Sequence, residues 1–233
     1  DEIKNSQPGA DSARVTARAH ILFGKNLDEV AILTDRKFAV LVVVEWLAVI
    51  AAAVWISPFT WAGSSRAINP HVWIALGTGG VLASLPVILT RIQAGHTVTR
   101  HVMAASQMLM AGLLVHMTGG RIETHFAYFG LLAFLSFYRD WRVLMTATVV
   151  TAADHFLRAY LWPESMFGVP GVALWRPLEH AAWVVFEVAF LIDFVRENRR
   201  SIHAMALGQA RTEGIGDQIV GEVRQRTREL QRS

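Results

Sequence analysis

The stretch VHMTGGRIETHF, Val115 to Phe126, decides how the middle of the chain is read. One apolar run ends on His116 and Met117, two glycines interrupt it, and a second apolar run starts after Glu123 and His125. Paired glycines punctuate regular structure, and the flanking runs are long and rich in Leu, Ala and Phe. The stretch therefore reads as a tight connection between two membrane-spanning helices. Two imidazoles and a carboxylate in a short polar hairpin at a membrane edge make it the mouth of a candidate ligand site.

Composition agrees with a membrane protein. Hydrophobic residues make up 53% of the 233-residue chain, above the roughly 45–50% of a soluble domain. Of the 22 Lys and Arg, 14 lie outside residues 38–195, as do 11 of the 19 Asp and Glu. An apolar block thus sits between two charged tails. The net charge of +3 is not gathered into a basic patch with interleaved aromatics, so no nucleic-acid partner is expected. The basic residues flank apolar segments, where they set topology and the partner is membrane lipid. Cysteine is absent, which removes disulfides and thiolate metal sites. The first 37 residues lack an apolar core of signal-peptide length near their start, so the first span is expected to stay as an anchor.

The fold expected is all-α: a polytopic six-transmembrane-helix bundle with a cytoplasmic C-terminal signalling helix. Residues 1–37 form a cytoplasmic or interfacial lead-in with a weak amphipathic run from Ala13 to Leu33. Residues 38–195 form the bundle, and residues 196–233 the signalling helix at the start of a coiled coil. The spans are Phe38–Ser57, His71–Thr90, His101–Met117, Ile122–Phe137, Trp141–Trp162 and Leu178–Val195. Pro58 to Pro70 and Pro163 to Pro177 read as loops. Arg91, Arg100, Arg139, Arg142 and the basic tails fall on one side. The positive-inside rule makes both termini cytoplasmic in a bacterial inner membrane. Trp55, Trp61, Trp73, Trp162 and Trp175 then lie near the outer interface.

A weak heptad runs through Ile202, Met205, Ile219, Val223 and Leu230, although Gln209, Thr212, Gly216 and Arg226 fall on the same seam. Read as a signalling helix it implies a homodimer and a cytoplasmic output domain in a longer parent chain. Read blandly it is a solvated tail.

On this topology His116, His125, His155 and His180 come from four helices and share the outer third of the bundle, with His71 as a looser fifth. Singly, each is more simply an interfacial residue; together, ionisable groups within spans mark a functional path. Glu123 and Asp154 complete or orient the set, and Asp154 and Arg158, one helical turn apart, can also form a structural ion pair. Imidazole and carboxylate without thiolate suit copper, zinc or iron, and two facing imidazoles could hold a haem. Trp73, Phe126, Arg158 and Trp183 are candidate cofactor contacts. The methionines Met103, Met108, Met110 and Met117 read as packing, Glu45, Gln107 and Glu187 as an interhelical hydrogen-bonded clamp, and His20, His96, His101 and His203 as solvated.

The run TGGRIETHFAYFGLLAFLSFYRDWRVL, Thr118 to Leu144, followed by DHFLRAYLWPESMFGV, Asp154 to Val169, resembles the multi-span input region of bacterial hybrid histidine kinases. That resemblance implies a sensor module feeding a kinase and carries no ligand residues with it. A looser similarity is to the RegB-type redox sensor kinases, whose membrane domain is associated with quinone near a GG-x-x-N-P-F turn. Gly119, Gly120 and Phe126 match in kind. Here the turn is one residue longer and has Glu123, Thr124 and His125 in place of Asn-Pro, the change expected for a metal.

Three functions follow as expectations: a signalling input module binding a metal ion or metal cofactor, a quinone sensor using the same pocket, and a metal-dependent membrane enzyme with Glu123 as general base. A transporter would call for an internal repeat or a broken helix pair, and no convincing repeat is visible.

Overall fold

A computed structural model describes residues 8–56, 59–62, 65–169 and 175–232. The expectations for residues 1–7, 57–58, 63–64, 170–174 and 233, and for the side chain of Trp61, lie outside the described residues. The elements are α1 (Pro8–Ile56), a hairpin of β1 (Phe59–Ala62) and β2 (Ser65–Ile68), α2 (Pro70–Gln93), α3 (Thr97–Met117), α4 (Ile122–Leu135) with a 3-10 turn at Ser136–Tyr138, α5 (Trp141–Leu161), α6 (Pro163–Phe167) and α7 (Trp175–Arg232). Among the described residues the regular structure is helical apart from that hairpin. Among the described residues three helices are long and apolar enough to cross a membrane: the 46 residues Asp11–Ile56, the 24 of Pro70–Gln93 and the 21 of Thr97–Met117.

Two expected loops hold regular structure. Antiparallel pairs from Phe59 with Ile68 to Ala62 with Ser65 build the hairpin. After α5, Pro163 at the first helical position and Glu164 in the first turn start α6, which ends on left-handed Gly168 (φ 68°).

The chain divides into two compact units, Glu29–Arg196 and the paired ends Asp1–Asp28 with Glu197–Ser233. In the larger unit α3 is the central helix. It packs on α2, α4 and α5 and buries Met103, Met108, Met110 and Met117 to 3% exposure or less, which makes those methionines packing residues. Trp46 on α1 donates its indole N–H to the Ala75 carbonyl of α2 at 3.0 Å. At the opposite end from the glycine turn, Asp35 accepts from Tyr138 Oη and from the Gly95 amide, each at 2.6 Å. The clamp does not form: both Glu45 oxygens, both Gln107 amide atoms and Glu187 Oε2 are buried without a hydrogen-bond partner.

In the smaller unit the two ends of the chain lie antiparallel, since Val15 meets Gly214, Arg18 meets Glu213 and Phe23 meets Arg199. The contact is built on small residues, with Ala19, Leu22, Ala206 and Ala210 buried. Residues 197–214 are therefore paired with the N-terminal helix, whereas residues 215–232 are exposed throughout, as the solvated-tail reading expects. His203 is likewise in contact, its ring edge against Phe23 and His20. Arg18 donates to Glu213 at 2.7 Å and holds that carboxyl below its usual range. This exposed link is present above the ordinary glutamate pKa and is lost as acid protonates Glu213. Of the expected heptad only Ile202 is buried; Met205, Ile219 and Val223 are exposed.

Candidate functional site

The glycine turn is built by backbone hydrogen bonds. As α3 ends, the Gly119 amide bonds the His116 carbonyl at 3.1 Å and the Gly120 amide the Val115 carbonyl at 2.9 Å, a closing pattern that needs left-handed backbone just past the helix. Gly119 and Gly120 supply it at φ 69° and 72°. Gly120 also touches α6, where a Cβ would come within 2.8 Å of the Met166 and Phe167 carbonyl carbons. The turn therefore seats α6, and with it Ser165 and Met166, against the ends of α3 and α4. Replacing Gly120 with Ala should cost about 1–3 kcal/mol from backbone strain alone. Thermal unfolding in detergent measures that loss, and an unchanged midpoint would remove the argument for the seat.

Three of the four expected histidines meet. His125 lies in the first turn of α4, His155 near the end of α5, and His180 near the start of α7. Their ring centres are 5.6 Å (His125 to His180), 6.0 Å (His125 to His155) and 6.4 Å (His155 to His180) apart. The three also share one hydrogen-bond pattern. Each Nδ1 bonds the carbonyl one helical turn earlier: His125 to Arg121 at 2.9 Å, His155 to Thr151 at 2.9 Å, and His180 to Arg176 at 3.0 Å. A carbonyl only accepts, so each Nδ1 carries the proton and each neutral ring keeps its lone pair on Nε2. Histidines that ligate metals are set up in this way, with the second ring N–H given to a carbonyl or carboxylate.

With metal–nitrogen bonds of about 2.0–2.1 Å, three imidazole centres around a tetrahedral ion would stand about 5.3 Å apart. The observed triangle is wider than that, and as they stand no three His, Asp or Glu groups among the described residues are placed to hold a metal ion. Closing the triangle takes a movement of up to about 1 Å.

His116 is elsewhere. Its Nδ1 meets Ser165 Oγ at 2.8 Å, and its ring packs on His71 at 5.0 Å and on Trp162 at 4.8 Å. The expectation of a four-histidine set is corrected on this point, because α6 supplies a hydroxyl to His116 and the ring stays on the α2 side of α3. The two imidazole groups are linked through a polar chain. Arg158 donates to Ser165 Oγ at 3.3 Å and to the Gly112 carbonyl at 3.0 Å, and it pairs with Asp154. Asp154 accepts from Tyr128 Oη at 2.9 Å, and the Tyr128 ring lies 4.8 Å from that of His155. Gly112 makes room for this chain: a Cβ there would stand 2.8 Å from both Arg158 Nη2 and Tyr128 Oη.

Asp154 thus serves Arg158 and Tyr128. Its oxygen is 3.9 Å from His155 Nδ1, too far to orient that ring by a hydrogen bond. Glu123 is exposed in the first turn of α4 and is in neither cavity beside the histidines. Trp73 is likewise exposed and in neither. Phe126 and Trp183 do line a cavity of about 440 Å³, together with Phe129, His125, His180 and Glu179. His155 and His180 also line a smaller cavity of about 60 Å³.

Tyr128, Ser165 and Met166 escaped the sequence reading. Tyr128 follows His125 by three residues, which puts it on the same helical face. The other two sit in the single turn that Pro163 starts. His96 and His101 are not simply solvated: His96 caps α3, and His101 meets Thr146 Oγ1 at 2.7 Å. Comparison with protein families, with curated proteins and with solved structures finds no significant match to any of them.

Proposed function

We propose that the chain is the membrane sensor (input) region of a bacterial signal-transduction protein, a histidine kinase, and that it takes a metal ion or metal cofactor at His125, His155 and His180. The observation that carries the reading is the shared tautomer: three imidazoles with ring centres 5.6–6.4 Å apart, each with its proton committed to a carbonyl and its Nε2 left to donate. Copper, zinc and iron all accept such a set.

In this reading six segments span a bacterial inner membrane and both termini are cytoplasmic. Support comes from the outward faces of the three helices outside the long apolar set. Phe134 and Phe137, then Val149, Phe156 and Leu157, and Val185, Phe186 and Phe190 on α7, are all exposed, as side chains facing lipid would be. α4 with its 3-10 turn is 17 residues long, at the short end of the roughly 17–25 residues that cross a bilayer.

A signal needs a ligand that binds two states unequally. Drawing the three rings together moves His180, which sits on the helix that continues to Arg232. The exposed Ile219 and Val223 offer a face for a second copy, the homodimer such a receptor needs, with an output domain in the same parent chain.

A second reading has its own support. The cavity of about 440 Å³ beside His125 and His180 is walled by Phe126, Phe129 and Trp183, a lining suited to a flat lipophilic ring such as a quinone.

Elemental analysis with a visible spectrum of the protein purified in mild detergent separates these. About one metal per chain is expected. Stoichiometric extracted quinone without metal would favour the second reading, and neither one would contradict both.

A further inference from the structure

Met166 on α6 is fully buried, with 0% of its surface exposed. Its Sδ stands 3.3 Å from His125 Nε2. In the neutral ring that nitrogen has no proton to offer, because the single hydrogen is on Nδ1 in the bond to Arg121. A thioether has none either. In that form two lone-pair donors are in contact in a buried site with no hydrogen between them.

A cation bound to both, set to one side of the N···S line, would turn that contact into two bonds. With metal–nitrogen and metal–sulfur distances of about 2.0 and 2.3 Å, nitrogen and sulfur on a tetrahedral ion stand about 3.5 Å apart. The observed 3.3 Å is already that bite. Sulfur as a thioether is a soft, neutral donor, and three neutral imidazoles add no anionic charge. The imidazoles are shared with zinc, and the thioether is the donor that favours cuprous copper.

We propose that Met166 is a fourth ligand and that the site selects Cu(I), held by Met166 Sδ and the Nε2 atoms of His125, His155 and His180. This rests on the metal reading above and adds to it the identity of the ion and a ligand no histidine pattern announces. The glycine turn has a role here too, since Gly120 seats the α6 turn that presents the sulfur.

The test loads the purified full chain, anaerobically, with Cu(I) and separately with Zn(II), for the wild type and for Met166→Leu, a swap that keeps volume and apolarity. The expected result is Cu(I) bound with a sulfur scatterer at about 2.3 Å in X-ray absorption. In Met166→Leu that scatterer should disappear and Cu(I) affinity fall about 10–100-fold, while Zn(II) binding changes little. If Cu(I) binds equally well to both proteins with nitrogen ligands alone, the thioether assignment is wrong and the three-histidine site stands. If neither ion binds the wild type, the metal reading itself fails and the inference falls with it. A circular dichroism spectrum matching the wild type shows that Met166→Leu has folded.

Discussion

His155→Ala is expected to abolish stoichiometric metal binding, whereas His116→Ala should bind as the wild type does. His155 is one corner of the triangle with His125 and His180; His116 is engaged with Ser165 and His71. Removing even a supporting partner of a metal ligand commonly costs about 10–100-fold in affinity, so loss of a ligand should cost at least that. His125→Ala and His180→Ala should behave like His155→Ala. Equilibrium dialysis of the four variants decides it. Equal losses in all four, or none in any, would break the division the geometry draws among them.

The largest stability effect is expected at Asp154. The Asp154 and Arg158 side chains are only 16% and 17% exposed and pair directly, with Tyr128 Oη as a further donor. Truncating one member of such a pair leaves the other charge buried without its counterpart, a loss of about 3–5 kcal/mol. Asp154→Ala should therefore lower the unfolding midpoint in detergent sharply. Replacing both partners with apolar residues of similar size, Asp154→Leu with Arg158→Met, should recover much of the loss, because no charge is then stranded. An Asp154→Ala protein as stable as the wild type would mean the pair adds nothing.

Much of the helical plan was legible in the sequence because a bilayer demands long apolar runs with closed backbone hydrogen bonding. Ile122 and Trp141 begin helices where expected, and the glycine pair ends α3 as read. The Asp154–Arg158 pair followed from spacing alone. Azimuth was not legible: α4 is apolar nearly all round, so nothing in its pattern told that His125 turns toward α5 and α7, and nothing at the end of α3 told that His116 turns toward α2 and α6. The antiparallel pairing of the chain's ends was hidden for a related reason. Its contact uses Ala19, Ala206 and Ala210, small residues that give little hydrophobic signal yet let helices approach closely. Met166 was concealed by length, since one turn started by Pro163 is too short to show any period.

The claim on which the rest depends is that three imidazoles on α4, α5 and α7 present Nε2 to one ion. Pulsed electron paramagnetic resonance of the protein loaded with Cu(II) as a probe reads this directly, because the remote protonated Nδ1 of each coordinated ring modulates the echo. Three remote nitrogens are predicted for the wild type and for His116→Ala, and two for His180→Ala. A single remote nitrogen, or a count that falls with His116→Ala and stays the same with His180→Ala, would contradict the account.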